Sequence, residues 1–265
     1  MEDGQNGMEQ LIGLGMLCPA VGMLLTRYVT GEGFAVTGED SMYLGISFRN
    51  KKWVWYLFAA FLPWIYCELG SGLAFLLNPG AFDPDYPELL GISGNQMGIV
   101  FLQPLAAIVS GVIISFGALG EEAGWRGYMM PKMIKLWGIR RAIVAGGIIW
   151  GIWHWPLTYI GHNFGRDYWG YPYTGFATMC IICIFIGIIL TYLVYKSGSV
   201  WPAVILHAVN NTSSSILNYF VNRERITGWR ADSVADILIR LVPMILIAVF
   251  VYIKMDKNSI AQKRH

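Results

Sequence analysis

The most constraining feature of this sequence is a run of 32 residues, from Leu89 to Gly120, that contains no Asp, Glu, Lys or Arg. A membrane-spanning helix needs about 20 consecutive apolar residues, so this run has room for one such helix. Over the whole chain 55% of the residues are hydrophobic and only 14% are charged, whereas a typical soluble domain has about 25% charged residues. This composition predicts a polytopic membrane protein, and the net charge of +2 gives no sign of a nucleic-acid partner.

The apolar segments predict an all-α fold, a bundle of about seven transmembrane helices that forms one integral membrane domain over residues 1–265. The candidate spans are residues 8–27, 53–77, 98–118, 142–161, 175–195, 200–220 and 234–253. The last one is the weakest, because it contains Asp236 and Arg240. These two residues are spaced to pair on one face of a helix.

The distribution of Lys and Arg among the loops predicts an orientation in the membrane. The 28–52 loop, the loop after the third span and the C-terminal tail are basic, whereas the 78–97 loop has acidic residues and no Lys or Arg. We therefore expect a multi-pass protein of the cell membrane with its C-terminus in the cytosol. Three arginines disagree with this prediction, because Arg223, Arg225 and Arg230 fall on the outer side.

Several of these segments contain or end in strongly polar side chains, which are costly inside a membrane and often mark functional sites. Glu68, in the second segment, is one of them, and the sequence gives it no role. The others form three sets: Glu121, Glu122 and Arg126 after the third segment, His154 in the fourth, and His207, Asn210 and Asn211 in the sixth.

The pair of glutamates predicts a division of roles. Glu122 and Arg126 are four residues apart, so on a helix they can pair on one face. Glu121 lies about 100° further round the helix axis, which leaves its carboxylate for chemistry. A helix end that meets water, with two solvated glutamates, explains this segment equally well when it is taken alone.

The other polar sets favour a functional site. His207 and Asn211 lie on one face of one helix, and His154 lies in the middle of another span. Together with Glu121 they offer a carboxylate base, an imidazole that positions water, and an imidazole with an amide that stabilise an oxyanion. For the glutamate to reach the depth of the histidines, the third helix must continue through residues 121–130, and Pro104 is then expected to mark its beginning.

Three short patterns in this order resemble those of the CPBP family. They read EEAGWR at 121–126, WGIWH at 150–154 and HAVNN at 207–211. This family groups CAAX prenyl endopeptidases of the Ras-converting type with the bacteriocin-processing and self-immunity proteins of the Abi group. The resemblance covers residues from about 118 to 211, and close relatives are often described with eight membrane helices.

The resemblance implies an intramembrane endopeptidase. The depth of the polar residues predicts a cavity open to the cytosol, and we expect the catalytic core at about residues 104–220. Glu121 and His154 would activate a water molecule, and His207 and Asn211 would form the oxyanion hole. The implied substrate is a membrane-associated peptide or protein, such as a lipidated CAAX-type tail, a leader peptide or a bacteriocin. The lipid bilayer is the other implied partner.

Three more residues take supporting roles in this resemblance. Glu122 and Arg126 would shape and charge the site. The family pattern has Phe four residues before the first histidine, whereas this chain has Trp150, a larger ring that keeps the aromatic packing role and reshapes the pocket beside His154.

The cofactor stays open at this stage, with zinc as the candidate. The chain has no HExxH pattern, the strongest zinc signature available. Glu121, His154 and His207 are chemically able to bind zinc with an open fourth position. Two other functions also stay open: a non-catalytic immunity or scaffold protein of the same family, and a transporter, which would carry similar buried polar residues.

Overall fold

A computed structural model describes residues 13–92 and 97–255. The beginning of the first predicted span, residues 8–12, and the basic tail from residue 256 lie outside these ranges. The described part confirms the all-α prediction: its regular secondary structure is helical, and its β-type contact is an isolated antiparallel bridge between Phe82 and Val221.

Eleven α-helices have both of their ends within the described residues. They are α1 (Cys18–Val29), α2 (Trp53–Leu77), α3 (Tyr86–Leu89), α4 (Met97–Ile113), α5 (Ser115–Gly124), α6 (Met130–Trp137), α7 (Ile139–Tyr159), α8 (Tyr173–Ser197), α9 (Trp201–Thr212), α10 (Ser233–Arg240) and α11 (Val242–Lys254). A π-helical turn at Trp125–Met129 joins α5 to α6, and short 3-10 turns follow α2 and α9.

The number of helices that could span a membrane is smaller than expected. In the described residues, α2 and α8 are long and apolar enough on their own. Two bent pairs raise the number to four if each pair is one span: residues 100–113 with 115–137, bent by 60°, and residues 233–240 with 242–254, bent by 45°. The expected total of about seven is therefore not confirmed.

The predicted span at residues 200–220 is wrong after Thr212, where α9 ends. Ser213 has an extended backbone, with ψ of 135°, and it begins a run of three serines. Serine side chains compete with the helix for backbone groups, and the Ser215 hydroxyl accepts a hydrogen bond from the Leu217 N–H at the start of a 3-10 turn. Local hydrogen bonding therefore stops a helix that hydropathy alone would continue.

The third predicted helix does continue past the glutamates, as the depth of the histidines required. Helix α5, the π-turn and α6 follow one another without a break to Trp137. The expected beginning at Pro104 is wrong, because α4 starts at Met97 and Pro104 lies inside it. The sharp bend comes later, at Ile114 between α4 and α5.

Helices α7 and α8 pack closely because α7 carries two glycines where they meet. A Cβ on Gly147 would lie 2.6 Å from the Ile184 Cα, and one on Gly151 would lie 2.6 Å from the Cys180 Cα. Small residues four apart allow helix backbones to approach in this way. The contact fixes the part of α7 that carries His154, which lies three residues beyond Gly151.

The 30–52 loop is fastened to the end of α1 and to α6. The buried guanidinium of Arg27 donates hydrogen bonds to the carbonyl oxygens of Gly33, at 2.6 Å, and Asp40, at 2.8 Å. The Glu32 carboxylate accepts from the Tyr128 hydroxyl at 3.0 Å and pairs with the Lys132 ammonium at 2.8 Å. These contacts hold the loop against the helix that follows the two glutamates.

The arginines that disagreed with the predicted orientation are tied to other parts of the protein. Arg225 pairs with Asp83 at 2.7 Å, and Arg230 donates to the Leu77 carbonyl oxygen at 3.0 Å. Both contacts join the segment after α9 to the segment after α2. These arginines therefore have structural partners, and the orientation itself stays a prediction.

We expect Gly151→Ala to destabilise the protein by about 1–3 kcal/mol, because the new methyl group overpacks the contact between α7 and α8. The matched control is Gly98→Ala in α4, where an added Cβ has open space and alanine favours the helix. Thermal unfolding in detergent measures both. Equal melting temperatures for the two variants would contradict the close approach of the helices.

Protonation of Glu32 should loosen the loop. The hydrogen bond from Lys132 is the main cause that lowers the pKa of Glu32 below its ordinary value of 4.5. A lowered carboxyl pKa adds stability that is complete above 4.5 and is lost as the pH falls through the lower folded-state value. The stability difference between the parent and Glu32→Gln should therefore be constant near neutral pH and shrink below about pH 4.5. A difference that does not change with pH excludes this role.

Candidate active site

Three helices bring the polar residues of the sequence patterns to one place. Helix α5 carries the two glutamates, and both are buried, with exposures of 2% for Glu121 and 0% for Glu122. Their helix packs tightly against α1, since a Cβ on Gly120 would lie 2.6 Å from the Met16 carbonyl oxygen and one on Gly124 would lie 2.4 Å from the Pro19 carbonyl carbon. The two glutamates are thus held inside the protein, so a solvated helix end does not describe this segment.

The Glu122 carboxylate is the centre of a buried ionic cluster. Its Oε1 atom lies 3.0 Å from Arg126 Nη1 and 2.8 Å from His207 Nδ1. The predicted pairing of Glu122 with Arg126 is therefore present, and the link to His207 on α9 was not foreseen. Glu122 Oε2 and Arg126 Nε have no hydrogen-bond partner among the described residues, so the cluster keeps polar capacity for water or a substrate.

The π-turn at Trp125–Met129 lies between the glutamates and the rest of their helix. Such turns insert one residue into the helical register and often occur at functional sites. Arg126 lies within it, and its Cζ atom is 3.9 Å from the centroid of the Trp150 ring. The arginine is therefore held on one side by a carboxylate and on the other by an aromatic face, a favourable cation–π position.

Trp150 on α7 links the three sequence patterns. Its indole Nε1 donates a hydrogen bond to Glu121 Oε2 at 2.8 Å, and its carbonyl oxygen lies 2.8 Å from His154 Nδ1. Its ring meets the rings of His154 and His207 edge-on, with centroids 5.6 and 5.5 Å away. The sequence predicted only a packing role for this residue, although an indole N–H is a donor that phenylalanine lacks.

Both histidines have one ring nitrogen occupied. A carbonyl oxygen can only accept, so His154 Nδ1 carries the proton that it donates to Trp150, and in the neutral ring Nε2 is then an acceptor. His207 Nδ1 faces the Glu122 carboxylate. That contact orients the ring, and in a protonated imidazole Nε2 is a donor.

A cavity of about 390 Å³ opens beside this cluster. Trp150, His154, His207 and Asn211 line it, together with Asn210. Neither glutamate lies on its wall, so Glu121 meets the cavity only through the neighbouring Trp150. The structure thus brings together all of the predicted site residues, with the histidines and the amide facing the cavity and the carboxylates behind them.

Asn210 orients its neighbour. Its Oδ1 accepts a hydrogen bond from the Tyr66 hydroxyl at 2.5 Å, and its Nδ2 donates to Asn211 Oδ1 at 3.3 Å. The amide nitrogen of Asn211 is then the end of that group left for a ligand. Tyr66, on α2, is 144 residues away along the chain, and nothing in the sequence indicated this contact.

The structure gives Glu68 a structural role. Its carboxylate accepts hydrogen bonds from the Trp64 indole at 3.1 Å, the Ser215 hydroxyl at 2.7 Å and the Ile216 N–H at 2.7 Å. These contacts fix the turn that follows α9. Glu68 therefore anchors the chain just beyond Asn211 and takes no place in the reacting cluster.

The proposed zinc ligands do not form a metal site in the described structure. Among residues 13–92 and 97–255, no group of three His, Cys, Asp or Glu side chains is arranged to hold a metal ion. Glu121 has one oxygen on Trp150, and each histidine has Nδ1 directed to another partner. These contacts leave Glu121 Oε1 and both Nε2 atoms without a partner among the described residues, and zinc binding by Glu121, His154 and His207 stays a prediction.

Comparisons with known proteins point to the family that the three patterns resemble. Residues 101–213 match the family model of Rce1-like type II CAAX prenyl endopeptidases. A CAAX prenyl protease 2 of Methanococcus maripaludis is 26% identical over 106 residues, which are 40% of this chain and 39% of the relative. The chain thus aligns with about two fifths of the length of that curated relative. No solved structure matches the chain.

We expect Arg126→Met to destabilise the protein by about 3–5 kcal/mol, because it leaves the Glu122 carboxylate buried without its cation. The double variant Glu122→Gln/Arg126→Met should recover much of this loss, since no unpaired charge then remains. Lys135→Met is the matched control, because Lys135 pairs with Asp40 at a partly exposed position. This substitution should lower the free energy of unfolding by less than about 1 kcal/mol. Chemical unfolding in detergent tests these variants together with the single variant Glu122→Gln. Additive effects of the two site substitutions would contradict direct coupling.

Proposed function

With residues 101–213 matching the Rce1-like CAAX endopeptidases, we propose that this chain is an intramembrane endopeptidase that cuts a membrane-associated peptide or protein. One observation carries the proposal. Trp150 joins the buried Glu121 carboxylate to the His154 imidazole at the wall of a cavity that also presents His207 and Asn211. These are the groups that hydrolysis of a peptide bond needs.

In this proposal Glu121 and His154 activate the water molecule. The indole holds Glu121 Oε2, so Oε1 is the oxygen assigned to accept the proton of the water. His154 Nε2, an acceptor in the neutral ring, holds the same water on the cavity side. The water oxygen then attacks the peptide carbonyl carbon while its proton passes to Glu121. The small exposure of Glu121, 2%, requires that this water reach it beside the Trp150 ring.

Stabilisation of the oxyanion falls to His207 and Asn211. In this role a protonated His207 donates through Nε2 and Asn211 donates through its amide nitrogen. Both residues line the cavity, and the Glu122 carboxylate holds the histidine from behind. Donors fixed in advance around a developing charge are often the largest single contribution to catalysis. As the tetrahedral intermediate collapses, the C–N bond breaks and Glu121 returns its proton to the leaving amine.

The substrate and the location follow from the family and the composition. We propose a prenylated CAAX-type tail as the first substrate to test, because the Methanococcus maripaludis relative carries the name CAAX prenyl protease 2. The membrane is proposed to be the cell membrane, with the C-terminus and the opening of the cavity on the cytosolic side. The mechanism assigned here uses only groups of the chain, and metal analysis of the purified protein tests the zinc prediction separately.

The decisive experiment is cleavage of membrane-anchored peptides, prenylated and not, by protein reconstituted in lipid vesicles. Glu121→Gln should lower kcat by about 100-fold or more, since it removes the general base. Trp150→Phe keeps the ring but loses a hydrogen bond to a carboxylate, so we expect a loss of about tenfold in kcat with little change in KM.

Glu88→Gln makes the same chemical change at an exposed position of α3, so it should cleave at the parental rate. If Glu121→Gln also cleaves at that rate, the assignment of the base is wrong. If the parent cleaves no peptide in the series, the proposed activity itself is wrong, and a non-catalytic immunity or scaffold role takes its place.

A further inference from the structure

The cavity extends beyond the histidines to a second polar end. There its wall is formed by serines and arginines from four segments: Ser71 of α2, Ser213–Ser215 and Asn218 after α9, Arg223 in the next turn, and Arg240 of α10. Among the described residues that line the cavity, none is Asp or Glu. The charged side chains that face a ligand at this end are therefore both arginines.

Arg240 is fixed in position by three partners. Its Nη1 donates to the Ser71 hydroxyl at 2.7 Å and to Asn218 Oδ1 at 3.0 Å, and its Nε donates to Asp236 Oδ2 at 2.8 Å. Nη2 has no hydrogen bond within the described residues. A guanidinium held on two of its nitrogens and open on the third is arranged in advance to bind an anion.

A second arginine shares the same carboxylate. Arg223 Nη2 lies 3.6 Å from Asp236 Oδ2, and the Arg223 side chain is 66% exposed. Two cations against one carboxylate leave a net positive charge. Glu68, a carboxylate of α2, accepts hydrogen bonds from Trp64, Ser215 and Ile216 and is not part of the wall. The charged side chains that line this end of the cavity are therefore the two arginines.

Helix α2 gives an estimate of the distance between the two ends of the cavity. Tyr66 contacts Asn210 at the catalytic end, and Ser71 contacts Arg240 at the other. Five residues of helix rise by about 7.5 Å. An extended peptide advances about 3.3 Å per residue, so the arginine end lies roughly two residues away from a peptide bond held between the histidines.

We propose that Arg240, with Arg223 and Asn218, binds the C-terminal carboxylate of the substrate, roughly two residues beyond the bond that is cut. The inference rests on the proposed endopeptidase function and adds a specificity site to it. Hydrogen bonds from a guanidinium to a carboxylate are charge-assisted and strong, and Arg240 Nη2 is the nitrogen left to make them. A cavity of about 390 Å³ lies at the small end of ligand pockets, where a short chain terminus fits.

The test compares three peptides that share a membrane anchor and a sequence. The first ends in a free carboxylate, the second in an amide, and the third has the amide plus an acidic side chain near the end. We expect the parent to prefer the first over the second by about tenfold or more in kcat/KM, the effect of a hydrogen-bonded charge. Cleavage of the third peptide at the rate of the first would show that any carboxylate serves and would overturn the terminal assignment.

Two variants connect the preference to the arginines. Arg240→Gln and Arg223→Gln should each reduce the ratio of carboxylate to amide cleavage, mainly by raising KM for the carboxylate peptide. Because Arg240 also supports packing, the exposed Arg223 gives the second, less invasive measurement. Arg225→Gln is the control, since that arginine pairs with Asp83 and does not line the cavity; its ratio should equal that of the parent.

The outcomes separate the two proposals. Equal cleavage of carboxylate and amide peptides by the parent overturns the carboxylate site and leaves the endopeptidase function in place. If no peptide is cut, calorimetry measures the binding of the same peptides to the parent. Tighter binding of the carboxylate peptide that is lost in Arg240→Gln supports the carboxylate site without the activity. If the carboxylate and amide peptides bind equally well in that measurement, the carboxylate site is overturned as well.

Discussion

One buried carboxylate oxygen determines much of the geometry. Glu122 Oε1 is shared by the guanidinium of Arg126 and the imidazole of His207, so a single atom joins α5, the π-turn and α9. A fully buried carboxylate is costly without such partners, and this cost makes the arrangement specific. A small displacement of any of the three elements would leave a charge without compensation. The site is therefore held in place by the same interaction that makes its burial tolerable.

Much of the site could be predicted from the sequence, because charged and polar residues inside apolar segments stand out. The spacing of Glu122 and Arg126 gave their pairing, and the depth of the histidines gave the continuation of the helix past Glu121. The links between helices could not be predicted in the same way. The contact of Glu122 with His207 spans 85 residues, and helical periodicity carries no information about which faces of distant helices meet.

The fold shows where hydropathy misleads. Composition distinguishes apolar from polar stretches but does not register a bend at Ile114 or the end of α9 at Thr212. The end of α9 is decided by local hydrogen bonding, as the extended Ser213 and the Ser215 hydroxyl illustrate. Hydropathy also does not reveal the second role of Trp150. Its aromatic ring suggests a packing residue, whereas its indole N–H donates a hydrogen bond to the Glu121 carboxylate. Trp150, which joins the polar sets, is thus a residue that burial alone would assign to the core.

The shortness of α9 has a consequence for how water enters a lipid environment. Its 12 residues rise about 18 Å, whereas the hydrocarbon core of a bilayer is about 30 Å thick. Backbone that leaves the helix at that depth is tolerated only inside protein or beside an aqueous space, and Ser213–Ser215 line the cavity. In the proposed endopeptidase, the end of this helix therefore provides a polar space within the depth of the membrane. There water and a lipid-anchored substrate would meet without the water entering the hydrocarbon or the anchor leaving it.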